Sequence, residues 1–132
     1  MIEHTKKQFT YRGKTIEELK ALDTREFAKI APARARRTIW RNFQKIENFI
    51  NRSKKKMERK KQIKTHDRYL VIVPQMVGMK IGIHKGNGFE MVEITGDMLG
   101  YRLGEFALTR TRTKHGSAGI GATKGSRAKS KK

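Results

Sequence analysis

Apolar residues recur at helical spacing along the first part of the chain, separated by charged residues. Thr15 with Glu18, and Asp23 with Glu26, have the spacing of a capping box, in which two side chains bind each other's backbone amides at a helix start. The pattern therefore predicts two short helices between residues 15 and 31. Their core-facing positions are Leu19, Leu22, Phe27 and Ile30.

A third helix is predicted from Pro32, because proline fits the first helical turn, where its missing N–H is not needed. One face of this helix, at i, i+3 and i+7 spacing, carries Arg34, Arg37 and Arg41. We expect Trp40 and Phe43 to anchor the opposite side to the core. Residues 51–68 hold nine lysines and arginines against two acids and lack an apolar stripe, so the course of the helix there stays open.

The second half of the chain changes to the short, β-branched pattern of strands. Residues 69–73, YLVIV, predict a buried strand that ends at Pro74. Residues 80–84, KIGIH, alternate apolar and other positions, and residues 89–94, FEMVEI, predict their hairpin partner. The turn between them is KGNG at residues 85–88, a composition typical of a tight turn.

Both ends of the chain lack a core-forming pattern. A short helix is predicted within residues 95–99. The last core anchors are expected at Leu103, Phe106 and Leu108. From Thr109 onward no acidic residue occurs, and residues 110–132 hold eight lysines and arginines. Such a composition buries too little apolar surface to order itself, so we expect this tail to be disordered in the free protein and ordered when bound. Residues 1–12 are polar and expected to be irregular.

Charge decides which partners are favoured. Lysine and arginine total 32 against 12 acids, a formal net charge of +20. Self-repulsion at this density opposes folding unless a polyanion neutralises it, and duplex nucleic acid carries one charge per ~1.7 Å. The basic residues form three separate blocks, at 34–41, 52–68 and 110–132. Since a solvated surface needs no such excess, the distribution favours nucleic-acid binding.

Membrane and secretory classes are disfavoured. No run approaches ~18 consecutive apolar residues, and the first residues, MIEHTKK, lack the apolar middle of a signal peptide. The ending KSKK is no lipidation motif, and the basic residues 51–61 lack the apolar face of a membrane-surface helix. The absence of cysteine excludes disulfides and cysteine-ligated zinc. We expect a cytoplasmic protein without a membrane partner.

Catalytic and cofactor motifs are absent from the sequence. Residues 116–126, GSAGIGATKGS, fail as a phosphate-binding loop because Lys124 precedes Gly125 instead of following a glycine that ends the loop. The four histidines are scattered, and no nucleophile accompanies the acidic residues, among which Glu105 is expected to pair with an arginine. We predict no enzyme, catalytic residue, metal, cofactor or small-molecule substrate. Most of the ten aromatics lie in apolar patterns, so we expect contacts to RNA backbone and shape more than to bases.

One motif is specific enough to indicate a family. The pattern L-G-x-x-L-G-E-F-x-x-T is supplied by Leu99, Gly100, Leu103, Gly104, Glu105, Phe106 and Thr109. It follows PQMVGMKIGIHKGNGFEMVEI, with Thr65, His66 and Arg68 upstream, and it is accompanied by FTYRGKTIEELKAL, PARARR and HGSAGIGATKGS. Over about residues 9–126, the chain resembles the universal small-subunit ribosomal proteins of the S-nineteen family (S-fifteen-e in eukaryotes), in their archaeal and eukaryotic branch.

The resemblance implies both a fold and a place of binding. The fold is α+β, with a small three-stranded sheet, short N-terminal helices, a long basic helix and an extended basic tail. The family lies in the head of the small ribosomal subunit, bound to small-subunit rRNA beside the S-thirteen family protein. Its C-terminal tail is directed toward the decoding region, where it can meet tRNA. Carried over by position, the rRNA-binding residues are Arg34, Arg36, Arg37, Lys64, Thr65, His66, Arg68, His84, Lys85, Arg102, Arg110, Arg112, Lys114 and His115.

These expectations divide the chain into three parts: a helical extension with the basic helix at 1–64, an α+β core at 65–109, and a glycine-rich basic tail at 110–132. Three alternatives remain from the residues alone. A free-standing RNA or DNA chaperone would share the charge without needing the family motif. An rRNA-modifying enzyme would need a cofactor site. A protein of anionic lipid surfaces would need a basic amphipathic helix.

Overall fold

The computed structural model describes residues 8–112 and 124–125, and its fold is α+β, as predicted. Two small sheets and three helices form most of the described part, with short 3-10 turns between them. In chain order the elements are β1 (Thr10–Tyr11), β2 (Lys14–Thr15), α1 (Ile16–Ala21), α2 (Thr24–Ile30), α3 (Ala33–Glu58), β3 (Ile63–Thr65), β4 (Lys80–His84) and β5 (Phe89–Glu93).

The two short helices begin as the capping-box pattern predicts. The Thr15 amide donates to the Glu18 carboxylate over 2.9 Å, and the Asp23 amide donates to the Glu26 carboxylate over 3.2 Å. Upstream, the expectation of irregular backbone over 1–12 is wrong for Thr10 and Tyr11, because β1 pairs antiparallel with β2. The turn between these strands places Arg12 and Gly13 at positive φ, a geometry that allows a two-residue hairpin.

Helix α3 is the longest element and continues well into the basic segment, as far as Glu58. The helix begins at Ala33, one residue after the predicted start at Pro32. Asn42 interrupts it with a kink. Its buried positions are Ala35, Ile39, Ile46, Phe49, Ile50 and Ser53. The expectation that Trp40 anchors the helix to the core is wrong, because this side chain is 52% exposed. The buried face instead runs through Ile39, one position away.

The three-stranded sheet contains the predicted hairpin and one unexpected strand. Strand β4 pairs antiparallel with β5, and Ile81 and Ile83 face the core. On its other edge β4 pairs in parallel with β3, in the register Ile63 to Ile81. The strand predicted at residues 69–73 is wrong. Residues 70–73 are buried, but apart from a single bridge between Val71 and Arg102 the segment forms no ladder.

The buried segment 69–73 satisfies its backbone against a loop. The Ile72 amide donates to the Tyr101 carbonyl over 2.8 Å, and the Leu103 amide donates to the Leu70 carbonyl over 3.0 Å. These bonds replace a strand ladder, because each buried amide needs an acceptor of some kind. The same loop carries the family motif. Its 3-10 turn Leu103–Phe106 buries Leu103, whereas Leu108 is 77% exposed, so the prediction of a core anchor at Leu108 is wrong.

One hydrophobic core joins the helices to the sheet. It takes Leu19 and Phe27 from α1 and α2, the inner face of α3, and the isoleucines of β3 and β4. Phe9 packs over Gly96, where an added Cβ atom would lie 2.6 Å from the phenyl ring. The short helix predicted within 95–99 is present as the 3-10 turn Gly96–Met98.

Replacing Gly104 with alanine is expected to lower the free energy of unfolding by about 1–3 kcal/mol, as overpacking does in well-packed cores. An added Cβ would lie 3.0 Å from the Arg68 Cβ and 3.1 Å from the Arg68 carbonyl oxygen, which already accepts the Gly104 amide. Urea unfolding of the purified chain measures the change. The control is Gly88→Ala, since nothing lies within 4 Å of a Cβ there. Equal stability of both variants would contradict the expected crowding.

Candidate nucleic-acid interface

The exposed face of α3 carries a line of basic side chains over most of its length. We call this line the basic stripe; its members are Arg34, Arg37, Arg41, Lys45, Arg52 and Lys55. All six are exposed, and the opposite helix face is buried. At about 1.5 Å per residue, the stripe extends over about 30 Å. The sequence pattern predicts only its first three members, because periodicity alone does not show that the helix continues to Glu58.

Within residues 8–112, no acidic side chain forms an ion pair with the basic stripe. The only ion pair among residues 8–112 joins Lys85 to Glu90 over 2.8 Å, far from the stripe in sequence. Glu47, which lies on α3 itself, instead accepts a hydrogen bond from the Thr24 hydroxyl over 2.6 Å. The six cations of the stripe are therefore exposed without an ion-pair partner in this part of the chain, as binding of a polyanion requires.

Arg102 joins the basic stripe from a distant part of the chain. Its guanidinium donates to the Thr38 hydroxyl over 3.3 Å, and that hydroxyl donates to the Arg34 carbonyl over 3.0 Å. Two predicted site residues, Arg34 and Arg102, are thus brought to one surface. The ion pair expected for Glu105 is absent from the described residues. Its carboxylate instead accepts the Arg102 backbone amide over 2.8 Å and caps the turn that follows.

The second half of the stripe forms one wall of an open groove. Lys45, Arg52 and Lys55 line it from α3, while Asp67 and Tyr69 line it from the segment after β3. The Lys45 ammonium lies 5.3 Å from the centre of the Tyr69 ring, which fixes its position by a cation–π contact. A single strand of nucleic acid can lie along such a groove with its phosphates against α3.

A second group of predicted residues meets on the outer face of the three-stranded sheet. His66 and His84 have ring centres 4.3 Å apart, and the Phe89 ring packs edge-on against both. The Lys64 ammonium lies 5.3 Å from the centre of the Phe89 ring. The parallel pairing of β3 with β4 produces this group, because it places residues 64 to 66 beside residues 82 to 84. We call Lys64, His66, His84 and Phe89 the sheet-face cluster.

Lys85, Arg110 and Arg112 lie near the hairpin turn and the start of the tail. The Lys85 ammonium is held by Glu90, and Lys85 lines an open groove together with Leu108 and Thr109. Arg110 and Arg112 are exposed at the end of the continuous described segment. Lys114, His115 and the predicted disorder of the tail lie outside the described residues.

Three predicted site residues use their polar groups to bind the protein's own backbone. Arg36 donates to the carbonyls of Ala28, Lys29 and Ala31 over 3.1–3.4 Å, and so caps the C-terminal end of α2. Arg68 donates to the carbonyls of His84, Gly104 and Ala107. Thr65 is buried, and its hydroxyl accepts the Asp67 amide over 3.0 Å. These side chains hold the backbone under the exposed groups and offer few free donors themselves.

The described residues contain neither a membrane-spanning helix nor a metal-binding cluster. No helix within them is both long and apolar enough to cross a membrane. They also contain no cluster of three or more histidine, aspartate or glutamate side chains placed to hold a metal ion.

Comparison with known proteins agrees with the motif. The profile of the family described as Ribosomal protein S19 matches residues 37–115, which include α3 from its second turn, the sheet and the L-G-x-x-L-G-E-F motif. A relative from Methanocella arvoryzae, the "Small ribosomal subunit protein uS19", is 50% identical over 126 residues, covering 92% of this chain and 86% of its own length. This archaeal relative supports the assignment of the chain to the archaeal and eukaryotic branch of the family. On both matches, the chain belongs to the ribosomal protein S19 family.

Proposed function

We propose that this chain is a structural protein of the small ribosomal subunit that acts in the cytoplasm by binding small-subunit rRNA. The name of the Methanocella relative supports the small subunit as its location. The observation that carries RNA binding is the basic stripe of α3, whose six exposed cations have no acidic partner among the described residues. The affinity comes from the neutralisation of RNA phosphates by lysine and arginine side chains and from the release of the phosphates' counterions.

The mechanism is to bridge separate RNA segments on one rigid protein. The basic stripe with Arg102 binds one segment along α3. The sheet-face cluster and Lys85 bind a second, where imidazole N–H groups and Lys64 donate to phosphate. Arg36, Arg68 and Thr65 act indirectly, by fixing the backbone that carries these groups. Because one core connects both surfaces, RNA bound to them is held in one relative geometry.

The finer placement rests on the family resemblance. The chain lies in the head of the subunit beside the S-thirteen family protein. Its tail, including Arg110, Arg112, Lys114 and His115, is directed toward the decoding region and tRNA. Neither feature requires an enzyme activity.

Crosslinking of intact small subunits, mapped to residues, tests the proposal. We expect RNA crosslinks at the basic stripe and the sheet-face cluster, and cosedimentation of the chain with the small subunit in a sucrose gradient. A chain that stays at the top of the gradient under these conditions would indicate a free chaperone instead. Crosslinks confined to the tail would contradict the assignment of α3.

A further inference from the structure

Trp40 is a large aromatic side chain left in solvent on a basic helix. It is 52% exposed, and it is the only tryptophan of the chain. It lies on α3 between Arg37 and Gln44, its neighbours at i−3 and i+4, and so borders the basic stripe. The free fold gains little from a tryptophan in this position, since half of its surface remains hydrated.

The Trp40 ring has neither an aromatic nor a cationic stacking partner among the described residues. Among the described residues, cationic groups lie over the rings of Tyr11, Phe43, Tyr69 and Phe89, but none lies over Trp40. No aromatic ring of the described part stacks on it either. The contrast with Phe43, three residues further on, is direct. Arg25 covers that ring at 4.3 Å, whereas no cationic group of the described part lies over the half-exposed Trp40 ring.

The surroundings of Trp40 decide the chemistry of its partner. No acid occurs between Glu26 and Glu47, while the same interval holds Lys29, Arg34, Arg36, Arg37, Arg41 and Lys45. The other large exposed apolar side chains in the described part are Met57, Met91, Tyr101 and Leu108, none of them within four residues of Trp40. The excess of positive charge in this part of α3 favours an anionic partner.

We propose that Trp40 is a stacking platform for an unpaired base of the RNA whose phosphates lie on the basic stripe. This inference rests on the proposed function and adds base contact to a site otherwise built for phosphates. A nucleobase is flat, has two π-faces and is attached to an anionic backbone, so it satisfies the ring and the arginines at once. Stacking is tolerant of base identity, so the platform does not read the sequence. Because an unpaired base has a free face for the ring, the platform selects unpaired over paired nucleotides.

Tryptophan fluorescence of the full-length chain tests the platform, because all of the emission comes from Trp40. The probes are a single-stranded octamer of adenylate and a polyphosphate of equal charge, both at low salt. We expect the octamer to quench the emission and the polyphosphate to bind without comparable quenching. Because variants without Trp40 lack this emission, their affinities are measured by the anisotropy of a dye-labelled octamer, and polyphosphate affinity by its competition with that octamer. Trp40→Leu is expected to weaken octamer binding about 10-fold, in line with the loss of one stacked base, and to leave polyphosphate binding unchanged.

Two variants separate stacking from general apolar contact. Trp40→Phe retains a ring and is expected to keep most of the octamer affinity. Met57→Leu, a change at an exposed apolar position of the same helix, is expected to have no effect. Octamer binding without quenching, or unchanged in Trp40→Leu, overturns the platform and leaves the proposed function standing. Absence of binding to either polyanion overturns both. Loss of a neighbouring protein from subunits that contain Trp40→Leu, at unchanged rRNA affinity, would assign Trp40 to a protein contact and also overturn the platform.

Discussion

Replacing Arg68 with methionine is expected to lower the free energy of unfolding by about 3 kcal/mol. The Arg68 guanidinium donates to three carbonyls, two of them on the family-motif loop and its exit and one at the end of β4. Hydrogen bonds to a charged group contribute about 1.5–3 kcal/mol each, and partial exposure of Arg68 reduces their sum. Methionine keeps the unbranched stem but leaves all three carbonyls without their donor. For a domain of this size the melting temperature should fall by roughly 10 °C.

Arg37→Met is the matched control, since it makes the same chemical change on an exposed arginine of the basic stripe. Its effect on stability should stay within about 0.5 kcal/mol, as for most surface substitutions. The two variants should also differ in RNA binding. Arg37→Met should weaken RNA binding at an unchanged melting temperature. Arg68→Met should weaken RNA binding only near the temperature at which this variant unfolds. A stable Arg68→Met protein with weakened RNA binding would mean that Arg68 contacts RNA directly.

Local sequence signals predicted the elements whose hydrogen bonds are local. The capping boxes at Thr15 and Asp23 each involve residues three positions apart, and the β4–β5 hairpin closes over four residues, so short windows contain all the information. The α+β class and the first three stripe positions follow from the same kind of periodicity. Among the described residues, no contact between residues far apart in the sequence opposes the elements that these local signals predict.

The failed predictions depend on partners far along the chain. The segment 69–73 has strand-like composition, but residues 100–103 supply its hydrogen-bond partners, and no local pattern identifies them. The composition of residues 69–73 predicts that they are buried, but it does not show which backbone groups form hydrogen bonds with them. The sequence predicts Trp40 as a core anchor on the helix side opposite the arginines, yet the buried face runs through Ile39, one position earlier, and Trp40 lies half exposed.

The candidate site shows the same division. The arginines at 34 and 37 could be assigned to one face from spacing, and both are exposed there. Arg36 and Arg68 share their residue type but donate to backbone carbonyls, and only three-dimensional geometry separates them from the arginines without such partners. His66 and His84, which are 18 positions apart, meet only because β3 pairs in parallel with β4, a pairing that no short-range signal encodes.

Binding of the chain to small-subunit rRNA is expected to weaken by ~10³–10⁵ between 50 and 200 mM salt, if roughly six to ten phosphates are neutralised. The basic stripe and Arg102 together offer seven exposed cations, and the sheet-face cluster adds Lys64, so this number of contacts is available on the described surface. Filter binding or fluorescence anisotropy with a head-domain rRNA fragment measures the affinity across the salt series. A flat response would exclude phosphate neutralisation as the main source of affinity.

Removing part of the basic stripe should change the slope of this salt dependence. In the triple variant Arg34→Gln, Arg37→Gln and Arg41→Gln, three phosphate contacts are lost, and each contributes about 0.7–0.9 to the slope of log affinity against log salt. The slope should therefore become shallower by about 2 to 3. The matched control, Lys20→Gln, Lys29→Gln and Lys61→Gln, removes the same charge from exposed positions outside the stripe.

The comparison of the two triple variants distinguishes local contact from net charge. If α3 lies against the RNA backbone, only the stripe variant loses slope, because counterion release depends on phosphates that are contacted one by one. If the excess of +20 acts only as a diffuse field, both variants lose affinity equally. Equal losses would remove the assignment of the interface to α3 while leaving the family membership intact, since that rests on the sequence matches.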